Sequence, residues 1–239
     1  MENVATIAPV PEPYRSRVRT PSYALKVNLI ALTPLIFFAG GFGLVALGVY
    51  AITEEDLIAG YLPIIVGGAA FGWGSYTGLC CLCVYENRWI ERKLRSTIAQ
   101  RPDLLIDPAG ADAVYVSIIP RENWSKIKWT MSSDLLLMRI DERRREILLE
   151  GDLDRYRIPA EAIVDCAPEC FFHPVDLHRN ELWMLRLVIF FDAGKRELLL
   201  SIPHTSWRPH TNASRRTIVR AACRAINALR PPAPVSRDA

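Results

Sequence analysis

Val27–Thr53 reads VNLIALTPLIFFAGGFGLVALGVYAIT, and no residue in it carries a charge. After Glu54-Glu55-Asp56 a second uncharged stretch, LIAGYLPIIVGGAAFGWGSYTGLCCLCVY, runs from Leu57 to Tyr85. A helix crossing a bilayer needs about 20 predominantly apolar residues, so both stretches suffice by length. A three-residue connection forces two such helices to run antiparallel. The expectation is therefore a two-helix transmembrane hairpin that returns the chain to its starting side.

Flanking charge predicts which side that is. Arg15, Arg17, Arg19 and Lys26 precede the first stretch, Arg88, Arg92, Lys93, Arg95 and Arg101 follow the second, and the connection holds no basic residue. Basic residues stay cytoplasmic, so an integral protein of the inner or plasma membrane with both termini in the cytoplasm is expected. On that side the sequons at Asn123 and Asn212 stay unmodified. A cleavable signal peptide fits poorly, because the first apolar run starts late and exceeds an ordinary signal core in length. Neither run holds an Asp, Glu, Lys, Arg or His, which suits an anchor better than a transport path. Gly68-x-x-x-Gly72 and Gly74-x-x-x-Gly78 place small residues where helix backbones can approach, either within the hairpin or between copies of the chain.

Composition bounds the rest. The 239 residues are 50% hydrophobic with net charge +3, and the mean hydropathy is +0.11. That excludes a disordered chain and gives no footprint for nucleic acid. Cys80, Cys81 and Cys83 cluster beside the second stretch, Cys166 and Cys170 fall in an expected loop, and Cys223 lies in a helical stripe. No disulfide framework emerges, which points to a reducing compartment.

Residues 1–24 are rich in proline and small residues and read as a mobile tail. The hairpin is bounded as 25–101, with a cytoplasmic extension of its second helix in which Ile90, Leu94 and Ile98 share a stripe and Pro102 forces a stop. Residues 102–230 form the soluble domain and 231–239 a disordered tail. In the domain the period changes to β-type runs: Ala113–Ile119, Lys126–Thr130, Leu135–Ile140, Glu146–Glu150, Asp154–Ile158, Ile163–Cys166, Leu182–Phe191 and Glu197–Ile202. About seven or eight strands at regular spacing suggest a small barrel or sandwich. Ile218, Val219, Ala222, Cys223, Ile226 and Leu229 then mark one face of a closing amphipathic helix, capped by Thr211 or Asn212 and stopped by Pro231-Pro232.

The segment Arg157-Ile-Pro-Ala-Glu-Ala-Ile-Val164 resembles the Ile-Pro-x-x-x-Ile stretch of bacterial membrane-anchored pleckstrin-homology-like proteins. Many of these place two membrane helices before the domain. The resemblance implies an α+β chain: a two-helix transmembrane hairpin, then a pleckstrin-homology-like barrel of about seven strands capped by a C-terminal helix. Two departures stand out. Cys166–Asn180 reads as an inserted loop, and Leu137 before Arg139 breaks the basic pattern of phosphoinositide-binding members.

No phosphate-binding loop, His-Glu-x-x-His or Gly-x-Ser-x-Gly motif is present, so no catalytic residue and no cofactor is assigned. Cys166, Cys170, His173 and His178, with His204 and His210, are the one set with metal-ligand chemistry, but the spacing is not that of a zinc finger. No metal is expected, and a tethered enzyme or metal protein built on this set is the alternative reading, as is an accessory subunit of a membrane complex. Weak contact with anionic lipid falls to Arg88, Arg92, Lys93, Arg95, Lys126 and Lys128. The functional expectation is a non-enzymatic protein that displays a cytosolic domain for protein interaction or assembly, with the lipid bilayer and protein partners or further copies of itself as its contacts.

Overall fold

A computed structural model describes residues 4–15, 21–53, 57–76, 82–124, 132–172, 181–203 and 211–230. The chain divides into two compact units. Met1–Arg17, Glu91–Pro203 and His210–Ala239 make one, and Val18–Ile90 with His204–Pro209 make the other.

In the first unit eight strands form one antiparallel sheet: β1 (Thr6–Pro9), β2 (Val114–Ile118), β3 (Asp134–Asp141), β4 (Glu146–Gly151), β5 (Asp154–Pro159), β6 (Ile163–Phe172), β7 (Glu181–Phe191) and β8 (Gly194–Ser201). Their order is β1-β5-β4-β3-β2-β8-β7-β6. Alternation sets the inward faces. Leu136 and Met138 on β3, Ile147 and Leu149 on β4, and Leu185, Leu187 and Ile189 on β7 all belong to one buried core. The Asp134 carboxylate organises the β4–β5 connection by accepting the N–H groups of Leu135, Asp152, Leu153 and Asp154. Gly194 turns β7 into β8 with φ +108°, a conformation open to glycine at little cost. The C-terminal helix α4 (Asn212–Leu229) begins on the Thr211 side chain, which accepts the Ser214 N–H. It packs on β6 and β7 and buries Val219, Cys223, Ile226 and Leu229.

In the second unit α1 (Pro21–Thr53) and α2 (Leu57–Tyr76) pack on each other. The approach is so close that a Cβ on Gly41 would stand 2.7 Å from the Gly67 carbonyl, and one on Gly48 2.5 Å from that of Gly60. Gly68 and Gly72, the expected contact pair, meet nothing within 4 Å, so the packing face is a different one. The third helix, α3 (Leu82–Ile98), carries the expected stripe, with Ile90, Leu94 and Ile98 buried.

Three expectations are corrected. Two transmembrane helices were anticipated, but among the described residues one helix is long and apolar enough to cross a membrane. It is α1 over Leu35–Thr53, with mean hydropathy 2.2 and most side chains exposed. α2 runs over 20 residues, of which five are glycine, and Pro63 lies inside it. The barrel of about seven strands is a single sheet of eight. The extra strand comes from the supposed mobile tail, where Thr6–Pro9 pairs with β5 from Thr6↔Arg157 to Pro9↔Asp154. The expected inserted loop is also shorter, because β6 runs unbroken from Ile163 to Phe172 and takes both Cys166 and Cys170 into the sheet.

Candidate functional site

Two places in the sheet unit gather charged side chains with purpose. The first lies where the chain leaves the unit for the helices and where it comes back. Val10 donates its N–H to the Leu153 carbonyl, extending the β1 attachment to the β4–β5 connection. Arg101, just beyond α3, donates from Nε and Nη2 to the Tyr14 carbonyl at 3.2 and 3.1 Å, and from Nη2 to that of Gly151 at 2.9 Å. Its Nη1 pairs with Glu150 on β4, and both side chains are fully buried. Glu150 also accepts the Leu105 N–H and stands 2.8 Å from Arg155 Nε. Arg155 reaches on to Asp103 at 2.7 Å and holds that carboxyl below the usual carboxylate range. A charge pair taken wholly out of water needs such a surround of hydrogen bonds to be tolerated. The result is a lock joining residue 14, residue 101 and β4.

The second place is an open cleft between α4 and the outer side of β6. Ala167 and Pro168 form one wall, and Thr217, Arg220, Arg224 and Asn227 form the other. At its base the thiols of Cys166 and Cys223 are both buried. A hydrogen bond donated to Cys223, together with burial, holds the Cys166 thiol well above its usual range, so it stays protonated. Asn227 Nδ2 donates to the Cys166 carbonyl at 2.9 Å.

On the sheet's other surface Arg121 bridges Glu169 of β6 and Glu197 of β8, and each carboxylate raises the pKa of the guanidinium. Arg121 also lies over Trp124, which stacks on Phe171 with ring centroids 4.4 Å apart. Trp183 is covered by Arg216 and bonded to Glu181. Both tryptophans are packing residues.

Four of the six residues expected to touch lipid lie on α3. Arg92 is exposed on α3, and Arg88 and Lys93 are half-buried there. Arg95 is occupied internally: it pairs with Glu91 and donates to the carbonyls of Pro108 and Ala113 at 2.6 Å each. Lys126 and Lys128 lie outside the described residues, as do Cys80, Cys81, His173, His178, His204 and His210. Among the described residues no group of three or more His, Cys, Asp or Glu could hold a metal ion. Sequence reasoning missed the Arg101–Glu150 lock, since Arg101 reads as one more basic residue near a membrane helix. It gave Arg220 and Arg224 no role. Compared with known proteins, the chain matches no family model, no curated protein and no solved structure.

Proposed function

We propose that this chain is a membrane-anchored, non-enzymatic protein that holds a cytoplasmic domain of the pleckstrin-homology-like kind at the bilayer for protein interaction and assembly. One observation carries the reading: the sheet contains chain from both sides of the helical segment. Thr6–Pro9, before α1, pairs with β5, and Arg101, after α3, is bonded to Tyr14. A folded unit cannot straddle a bilayer, so the segment between Arg17 and Glu91 leaves and re-enters on one side. The apolar stretch Leu35–Thr53 supplies the membrane affinity. The basic residues Arg88, Arg92, Lys93, Arg95 and Arg101, all next to the returning helix, favour the cytoplasm as that side.

The test is sidedness. Glu12 and Glu142 are exposed, one before the helices and one after them. Glu12→Cys and Glu142→Cys are each expected to resist a membrane-impermeant maleimide in intact cells and to react fully once the cells are permeabilised. Labelling of either from outside would overturn the proposal.

A further inference from the structure

We propose that the cleft between α4 and β6 receives an extended acidic segment of a partner protein, which adds as a further strand on β6 and sets its carboxylates against Arg220 and Arg224. The inference rests on the reading of this domain as an interaction module and names the chemistry of its partner.

The first support is the state of the sheet edge. β6 ends the strand order, so no described strand covers its outer side. Pro168 sits in the middle of this ten-residue strand. A proline has no N–H to give to a neighbouring strand and is tolerated at an edge. Backbone carbonyls two residues apart point the same way along a strand, so those of Cys166, Pro168 and Cys170 share a side. The first is taken by the Asn227 side chain, a partner outside the sheet. The helix thus occupies the edge at Cys166, and no described strand pairs with the outward groups of Pro168 and Cys170. An open edge of this kind is a template for main-chain pairing.

The second support is charge. Arg220 and Arg224 are exposed one helical turn apart, and both line the cleft. No carboxylate among the described residues pairs with either. The acidic groups of β6 are already committed elsewhere: Asp165 to Arg186 at 2.6 Å, and Glu169 to Arg121 at 2.7 Å. Among the described residues, the cleft therefore presents two guanidinium groups without a carboxylate partner beside main chain that no described strand pairs with. Guanidinium groups are suited to forked pairing with carboxylates. An extended strand places every second side chain on one face, so an acidic residue at alternate positions would bring carboxylates to the arginine wall.

The probe is a fluorescein-labelled ten-residue peptide alternating valine and glutamate, titrated by fluorescence anisotropy into the full-length protein in detergent micelles. Saturable binding is expected that weakens with added salt. It should fall at least tenfold with the double substitution Arg220→Glu and Arg224→Glu, and with Thr217→Trp, which fills the cleft. N-methylation of the peptide backbone should abolish it. The three positions are exposed, so thermal stability of the variants should match that of the parent. Equal binding of a valine–lysine peptide, no binding at all, or binding indifferent to the substitutions would overturn the proposal. Displacement of the peptide by short-chain phosphatidylserine at comparable concentration would assign the cleft to lipid headgroups instead, and would also overturn it. Sidedness labelling reads a different property, so either result can fail without the other.

Discussion

Asp134 shows how much one carboxylate can fix. Its Oδ1 accepts from Leu135, Asp152 and Leu153, and its Oδ2 from Asp154, so three consecutive N–H groups of the β4–β5 connection converge on it. Burial pushes its pKa up to about 6, against the N–H groups that favour the anion. The unfolded value is about 3.9, so between these values the native state binds the extra proton. The contribution of Asp134 to stability is then greatest below about pH 4, declines as pH rises towards 6, and is level above that. In Asp134→Asn this dependence should vanish from denaturation curves measured between pH 4 and 7. The new NH2 would also oppose the Asp154 N–H, at an expected cost of about 1–3 kcal/mol. Arg101 is the second decisive residue. Arg101→Ala leaves Glu150 buried with Arg155 as its remaining cation, and a loss on the order of 3–5 kcal/mol is expected in chemical unfolding. Adding Glu150→Gln to that variant should restore part of the loss. Neither role was visible in sequence. Asp134 reads as a polar residue before a strand, and Arg101 reads as topology charge, because, Leu135 apart, their partners lie 18 or more residues away.

Elements were easier to read than contacts. The strands β3, β4, β5, β7 and β8 follow from short apolar, β-type runs bounded by turn residues, and α4 from its stripe, because each signal is local. β1 was missed. Four residues with two prolines nearby carry no alternation, and the strand exists because β5 offers an edge to pair with. Residues 102–230 expressed alone, without residues 1–15, should therefore lose the β5 partner, the Val10 bond and the Tyr14 bond together. The expected outcome is a fragment that aggregates or melts well below the full chain, read by light scattering and thermal unfolding. Close helix approach through glycine was legible, but Gly60 and Gly67 make it, and Gly68 and Gly72 face away from α1. Gly67→Leu should disrupt the α1–α2 contact, whereas Gly72→Ala meets open space and should be neutral. Thermal unfolding in detergent would report the difference: Gly72→Ala should melt with the parent, and Gly67→Leu at a clearly lower temperature.

At the scale of the whole molecule the sheet unit is discontinuous, with the helical segment inserted after its first strand. Apolar runs made a membrane segment legible, yet the closure of the unit around that segment depends on pairing between Pro9 and Asp154, which no local pattern encodes. The arrangement has a biosynthetic consequence. The register separates these partners by 145 positions (154 minus 9). At about 5–20 residues per second, the ribosome makes the second roughly 7–30 s after the first. Through that interval the nascent amino terminus must stay free to pair. A bulky N-terminal fusion would then hinder final assembly far more than a C-terminal one.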